Sequence, residues 1–233
     1  MIYVSSDWHG TSPRRIAELL ALADFSDDDF LYVLGDVIDR GSHGVALLKM
    51  LMGAKNIELI LGNHEAMMLS CEWMFDEVNE NTVADLNAKK LHSMSTWQMN
   101  GATPTIEGLR CEHYSVREDI LDYLWDCPVY RKIEVAGRKF LLVHAGLGGY
   151  HEGYRVEYAS EHDLLWTRPT LDTKYSEEFT TVLGHTPTLY YGEEYSGHII
   201  NNGTWINVDT GASRGLSPAL LRLDDMKEFY LPD

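Results

Sequence analysis

Short apolar runs alternate with helically spaced apolar residues over the first 65 positions. Residues 2–5 read as a buried strand. Ser12 followed by Pro13 is a helix start, a hydroxyl cap before a proline at the first helical position. The helix it opens, residues 14–22, spaces Ile16, Leu19, Leu20 and then Ala23 along one face. Residues 30–34 predict the next strand, 44–52 a second helix and 57–61 a third strand. The pattern is βαβαβ, which implies right-handed crossovers and parallel strands. In such sheets ligands collect beyond the carboxyl ends of the strands.

Residues 66–127 change character. They are rich in Met, Glu, Asn and Trp and predict a helical insert, clearest over 66–78. Residues 121–125 lead to a stop at Pro128, and 97–101 read as less regular. The insert is expected to cap one side of the strand ends, its Met and Trp residues serving mainly as core. The second half reads as β-rich. A hairpin is expected from 130–135 and 139–143 around Ala136-Gly137, then a strand at 180–183. Residues 199–201, 205–208 and 219–223 are expected to complete a meander.

At 233 residues, 45% apolar and 24% charged, the chain is of a size and composition for one globular domain, and no linker divides it. A formal net charge of −17 argues against nucleic acid and against an anionic membrane, both of which are bound through Lys and Arg clusters. The three cysteines, Cys71, Cys111 and Cys127, form no CxxC pair and read as reduced thiols of a cytoplasmic protein. The N-terminus shows no signal-peptide pattern, and no apolar run reaches bilayer-spanning length.

Chemistry concentrates where the predicted strands end. In an extended segment residues i and i+2 share a side, so Asp7 and His9 can converge on one cation. Asp36 follows a buried strand and a glycine, where a carboxylate can bridge two ions. Asp39 and Arg40 stand next, as a plain surface ion pair or as part of the site. Asn63 offers a neutral oxygen ligand. His64 beside it is either a ligand or a general acid, and as an acid it needs an orienting partner, for which Asp39 is placed. Of the ten histidines, His144 and His185 also end predicted strands and have small neighbours that leave room for a cation. His43, His92, His113, His151, His162 and His198 read as structural or surface residues.

These motifs occur in order: Ser6-Asp7-Trp8-His9-Gly10, Gly35 to Gly41 (GDVIDRG), Gly62-Asn63-His64-Glu65, His144-Ala145-Gly146 and Gly184-His185-Thr186. Together they resemble the phosphoprotein phosphatase branch of the calcineurin-like metallophosphoesterases, and bacterial and phage serine/threonine phosphatases most. Leu164 to Arg168 (LLWTR) resembles the segment that carries their second phosphate-binding arginine, and Val208 to Ala212 (VDTGA) their late strand. Ser6, in place of the usual glycine, and the Ala-Gly after His144 depart from the pattern without removing a ligand.

The resemblance implies an α/β fold, a two-sheet β-sandwich flanked by helices in α-β-β-α layers, with the site at strand C-terminal ends. It implies that Asp7, His9 and Asp36 hold one metal, and that Asp36, Asn63, His144 and His185 hold a second. His64 paired with Asp39 would be the general acid. Arg40 and Arg168 would clamp phosphate oxygens with Asn63 assisting, and Glu65 and Asp209 would support the site. The cofactors implied are two divalent metal ions, manganese first and iron or zinc as alternatives, sharing a hydroxide that attacks phosphorus. The substrate implied is a phosphoprotein or phosphopeptide. The alternative is a diadenosine tetraphosphatase-type nucleotide hydrolase, a sister group that typically has GNHD and lacks the aspartate of DRG. A non-catalytic relative would have lost ligands, and none is lost here. A metallonuclease would need the basic groove that this acidic chain lacks.

Overall fold

The computed structural model describes residues 1–77 and 79–232, the Asn81 side chain excepted. Two mixed five-stranded sheets stack face to face and are flanked by helices. The first sheet contains β1 (Ile2–Ser5), β2 (Phe30–Val33), β3 (Ile57–Leu59), β9 (Ala219–Arg222) and β10 (Lys227–Tyr230), in the order β10-β9-β1-β2-β3. The second contains β4 (Tyr130–Val135), β5 (Arg138–Val143), β6 (Thr180–Leu183), β7 (Ile200–Asn201) and β8 (Trp205–Asn207), in the order β4-β5-β6-β8-β7. The βαβαβ opening is as expected: β1 pairs parallel with β2, and β2 with β3. The crossovers are α1 (Pro13–Leu22), capped by Ser12, and α2 (Gly44–Gly53).

Alternate residues of one strand enter different cores, which explains why these runs carry no polar face. Tyr3, Leu31, Val33 and Leu59 pack toward the helices. Val4, Leu34, Ile60 and Leu221 face inward and meet Phe140, Leu142, Val182 and Ile206 of the second sheet. The outer face of that second sheet, through Leu141, Val143, Leu183 and Trp205, is covered by Leu147, Val156, Leu164 and Tyr175. That cover is thin, one short helix (Glu161–Leu165) and irregular chain.

Three expectations are corrected. The late strands do not form one meander. β7 and β8 pair in the second sheet, whereas β9 returns to the first and lies antiparallel to β1, with Tyr3 opposite Arg222. β9 then makes a hairpin with β10, a strand the sequence reading omitted. The helix expected over 66–78 begins earlier and ends earlier: α3 spans Asn63–Leu69, and a 3-10 turn follows at Glu72–Phe75. Val78, the end of that expectation, lies outside the described residues. The stretch 97–101 is not irregular throughout, because α5 (Ala88–Met99) runs through Trp97. With α4 (Glu80–Ala84), α6 (Thr103–Cys111) and α7 (Tyr114–Trp125), the region between β3 and β4 is helical as expected. The β4–β5 hairpin turns at Ala136 and Gly137, both at positive φ. Among the described residues no helix is long and apolar enough to cross a membrane.

Candidate metal and phosphate site

The loops that follow β1, β2, β3, β5 and β6 converge at one end of the sandwich. Trp8 shows how the first loop is aimed. Its ring is buried in the helix-side core and its indole N–H donates to Ser5 Oγ at 2.8 Å. Asp7 and His9, on either side of it, project the other way, and the His9 ring Nε2 lies 3.8 Å from Asp7 Oδ1 and 3.6 Å from Asp36 Oδ2. This loop runs alongside the second, with Asp7, His9 and Gly10 N–H groups donating to the carbonyls of Gly35, Asp36 and Val37 at 2.8–3.0 Å. The two loops touch so closely that a Cβ on Gly10 would stand 2.3 Å from the Gly41 carbonyl oxygen.

Glu65 ties the second loop to the third. Its fully buried carboxylate accepts N–H groups from Asp36 (2.8 Å), Val37 (2.9 Å) and Gly62 (3.1 Å). It thereby fixes the backbone that presents Asp36 and the first turn of α3 together. Asp36 Oδ1 in turn accepts the His64 N–H at 3.0 Å. From the second sheet, His144 Nε2 lies 2.9 Å from Asn63 Oδ1, 3.2 Å from His185 Nδ1 and 3.4 Å from Asp36 Oδ1. The His185 N–H donates to Asp7 Oδ2 at 2.8 Å, which closes the ring of loops.

The donor set fits metal ions. His9 Nδ1 lies 3.1 Å from the Ile38 carbonyl and His144 Nδ1 2.6 Å from that of Leu34, so each ring donates there and leaves Nε2 unprotonated. Those nitrogens face carboxylate oxygens, an arrangement that a cation between them makes favourable. Asp7 Oδ1 and His185 Nε2 are buried without a hydrogen-bond partner among the described residues. Among the described residues two groups have their ligand atoms close enough to share an ion: His9, Asp36 and His64, and Asp36, His144 and His185. Asp36 belongs to both.

Charge in the cluster is poorly solvated. Burial, and then repulsion from Asp36, pushes the Asp7 carboxyl up to about 7. Burial and the nearby Glu65 push Asp36 well above the usual carboxylate range. Burial also pushes His9, His64 and His185 down, so their rings are neutral and able to bind metal. Asp209 is buried beside this cluster, with Oδ1 accepting the Gly211 N–H at 3.0 Å. Burial and then repulsion from Asp7 push it up as well.

Beside this cluster stands a different pair. His64 Nδ1 and Asp39 Oδ2 are 2.6 Å apart, and both side chains are almost wholly buried. Burial pushes Asp39 up to about 7 and His64 down, so the contact holds a proton that belongs to the pair. His64 Nε2 points to the guanidinium of Arg40 at 3.1 Å, and the other Arg40 nitrogen reaches His9 Nε2 at 3.0 Å. Arg168 comes to the same end of the sandwich, where its Nη1 donates to the His185 carbonyl (3.2 Å) and Thr186 Oγ1 (2.9 Å). The sequence reading did not find Trp97 and Thr105, both of which donate to Asp39. The signal was that a buried Trp N–H needs an acceptor. A cavity of about 1150 Å³ in the helical region, lined among others by Trp73, Lys90, Tyr114 and Trp125, includes none of these site residues.

Asp7, His9, Asp36, Asp39, Arg40 and His185 all have positive φ. A non-glycine residue is strained there, and such strain collects at functional sites.

Comparison with known proteins agrees with this geometry. The serine/threonine-protein phosphatase 2 of Salmonella typhimurium is 24% identical over 213 residues, covering 91% of this chain and 87% of that protein. The symmetrical bis(5'-nucleosyl)-tetraphosphatase of Acidovorax ebreus is 25% identical over 181 residues, covering 75% of this chain and 53% of its own length. The chain thus spans most of the first relative and about half of the second. In fold it is similar to a crystal structure of a protein assigned as a diadenosine tetraphosphatase, with a TM-score of 0.64 at 19% identity over 99% of this chain and 92% of that one. The family model for calcineurin-like phosphoesterases matches residues 1–209, a span that holds every residue of the cluster, and the chain belongs to that family of metal-dependent phosphoesterases.

Proposed function

We propose that the chain is a phosphomonoesterase acting on serine and threonine phosphates of proteins or peptides. The observation that carries this reading is the 2.6 Å contact between His64 and Asp39 beside Arg40. An alkoxide leaving a serine ester is a strong base and needs a proton as it departs, whereas a nucleoside phosphate leaving a polyphosphate does not. A buried proton-donating pair beside a guanidinium therefore favours the alcohol ester.

In this reading Asp7, His9 and Asp36 hold one cation, and Asp36, Asn63, His144 and His185 hold the other. Two bound cations supply Lewis acidity toward phosphoryl oxygens and make water acidic near neutral pH. The mixed nitrogen and oxygen donors make manganese the first ion to test, before iron or zinc. Arg40 and Arg168 clamp the phosphate through planar guanidinium groups, with the Asn63 amide assisting. His64 holds its ring through Nδ1 on Asp39; with the ring protonated and Arg40 turned to the phosphate, it gives the Nε2 proton to the departing oxygen and returns to the neutral form. The net charge of −17 and three free cysteines support a cytoplasmic protein whose substrate is not nucleic acid.

The half-length match to a tetraphosphatase favours a second reading, hydrolysis of dinucleoside polyphosphates. A panel decides between them. Manganese-loaded protein is given phosphoserine, phosphothreonine and phosphotyrosine peptides and diadenosine tetraphosphate. Turnover of the serine and threonine peptides is expected to exceed the rest. Turnover of the dinucleotide alone overturns the proposal. His64→Asn is expected to lower kcat on the phosphoserine peptide by about 10²-fold or more, while bound manganese stays the same.

A further inference from the structure

The acid pair rests on a part of the chain that contributes none of the metal-facing residues. Asp39 Oδ1 accepts the Thr105 hydroxyl at 2.6 Å, and Oδ2 accepts the Trp97 indole N–H at 2.8 Å beside the 2.6 Å contact with His64. The Asp39 N–H donates back to Thr105 Oγ1 at 2.9 Å, so that hydroxyl grips the residue at both its backbone and its carboxylate. One residue on, the Arg40 N–H donates to the Gly101 carbonyl at 2.9 Å. Trp97 is 0% exposed and Thr105 1%. All four hydrogen bonds come from one corner, the end of α5, the bend at Gly101 and the start of α6. They land on two consecutive residues held at φ of 67° and 66°, a conformation that surrounding structure must impose.

We propose that this corner is a brace for the proton-donating pair, with Trp97 and Thr105 as positioning residues. The proposal rests on the reading of His64 as the acid. The terminal torsions of Asp and His side chains have broad wells, so neither group orients itself. Donors on both carboxylate oxygens fix the plane of Asp39. The fixed carboxylate then sets the His64 ring, and with it the direction of Nε2. The side-chain hydrogen bonds of Trp97 and Thr105 go to Asp39 and not to the residues assigned to phosphate or metal, so they act through the aim of the acid. The helical region thereby determines how well a poor leaving group is expelled.

The test is a leaving-group series on manganese-loaded protein, from dinitrophenyl phosphate, which leaves without a proton, to phenyl phosphate, which needs one more. It requires no decision between protein and nucleotide substrates. Trp97→Phe and Thr105→Val are each expected to lower kcat on phenyl phosphate roughly tenfold. On dinitrophenyl phosphate the loss is expected to be under about twofold, because the acid contributes little there. KM and bound manganese are expected to hold. Thr105→Ser keeps the hydroxyl and is expected to restore the phenyl phosphate rate. His64→Asn should show the same selectivity with a larger loss. If His64→Asn lowers both esters equally, the acid reading fails and the brace fails with it. If His64→Asn is selective but Trp97→Phe and Thr105→Val lower both esters equally, or neither, the brace alone is overturned. Should Trp97→Phe not fold, the Thr105→Val and Thr105→Ser pair decides by itself.

Discussion

The two sides of the site are built by different means. The metal-facing side is assembled by the sandwich itself. Its loops are joined by backbone bonds and by the buried carboxylates of Asp7, Asp36 and Glu65, and the imidazoles of His9 and His144 are oriented by the carbonyls of Ile38 and Leu34. The proton-donating side depends on side chains from the helical region, Trp97 and Thr105. The first side should therefore fail by losing metal and the second by losing selectivity for poor leaving groups.

The sharpest break is Asp36→Asn. Asp36 is common to both metal-sharing groups, so the loss should remove both ions and lower kcat/KM on the order of 10³-fold. Elemental analysis beside a rate measurement checks it, and full metal content in the variant would refute the shared ligand. Next comes Glu65→Ala, which leaves four buried N–H groups, those of Asp36, Val37, Ile38 and Gly62, without their acceptor. It should cost about 3 kcal/mol or more in urea unfolding of metal-free protein and weaken manganese binding. Glu65→Gln keeps one acceptor oxygen and should cost less. The mildest test is of pH. The Asp7 carboxyl, ordinarily at 3.8, is raised to about 7 in the folded state. The metal-free fold therefore holds a proton that the unfolded chain has released between those values, and it loses stability as pH rises through the window. Manganese must displace that proton. Its apparent affinity should rise about tenfold per pH unit from pH 5 toward 7 for each proton displaced. Titration calorimetry would show this, and a flat profile would mean that Asp7 binds no ion.

Legibility in the sequence divides along the same line. The metal-facing residues could be read because each stands at the end of an apolar run, and strand ends in such a sheet share a crevice. Asp7 and His9 were legible from two-residue spacing only together with their place after a buried strand, and they converge at positive φ rather than on the extended backbone that the spacing assumes. The brace was not legible, because Trp97 lies 58 residues from Asp39 and nothing local ties them. The start of α3 was misjudged because Asn63, His64 and Glu65 are helical and functional at once. Glu65 returns to accept the Gly62 N–H, so the cap comes from the third helical residue rather than from a polar residue before the helix. The sheet to which β9 belongs could not be read at all. Ala219 to Arg222 is as apolar as β8, and inward-facing residues of both sheets enter the same central core.

The placement of β9 has a consequence for how the molecule comes into being. β1, which leads into Asp7 and His9, lies between β2 and β9, so one of its two neighbours is the chain from residues 219–222. All the residues of the two metal-sharing groups precede β9 by more than 30 positions. During synthesis a nascent chain thus presents every ligand while β1 is still an open sheet edge, exposed to pairing with other strands. Closing that edge joins positions about 218 residues apart, Tyr3 with Arg222 at the extreme, the kind of distant pairing that makes folding slow. An early arrival of metal on the half-built loops would reward their native arrangement before the last strand docks.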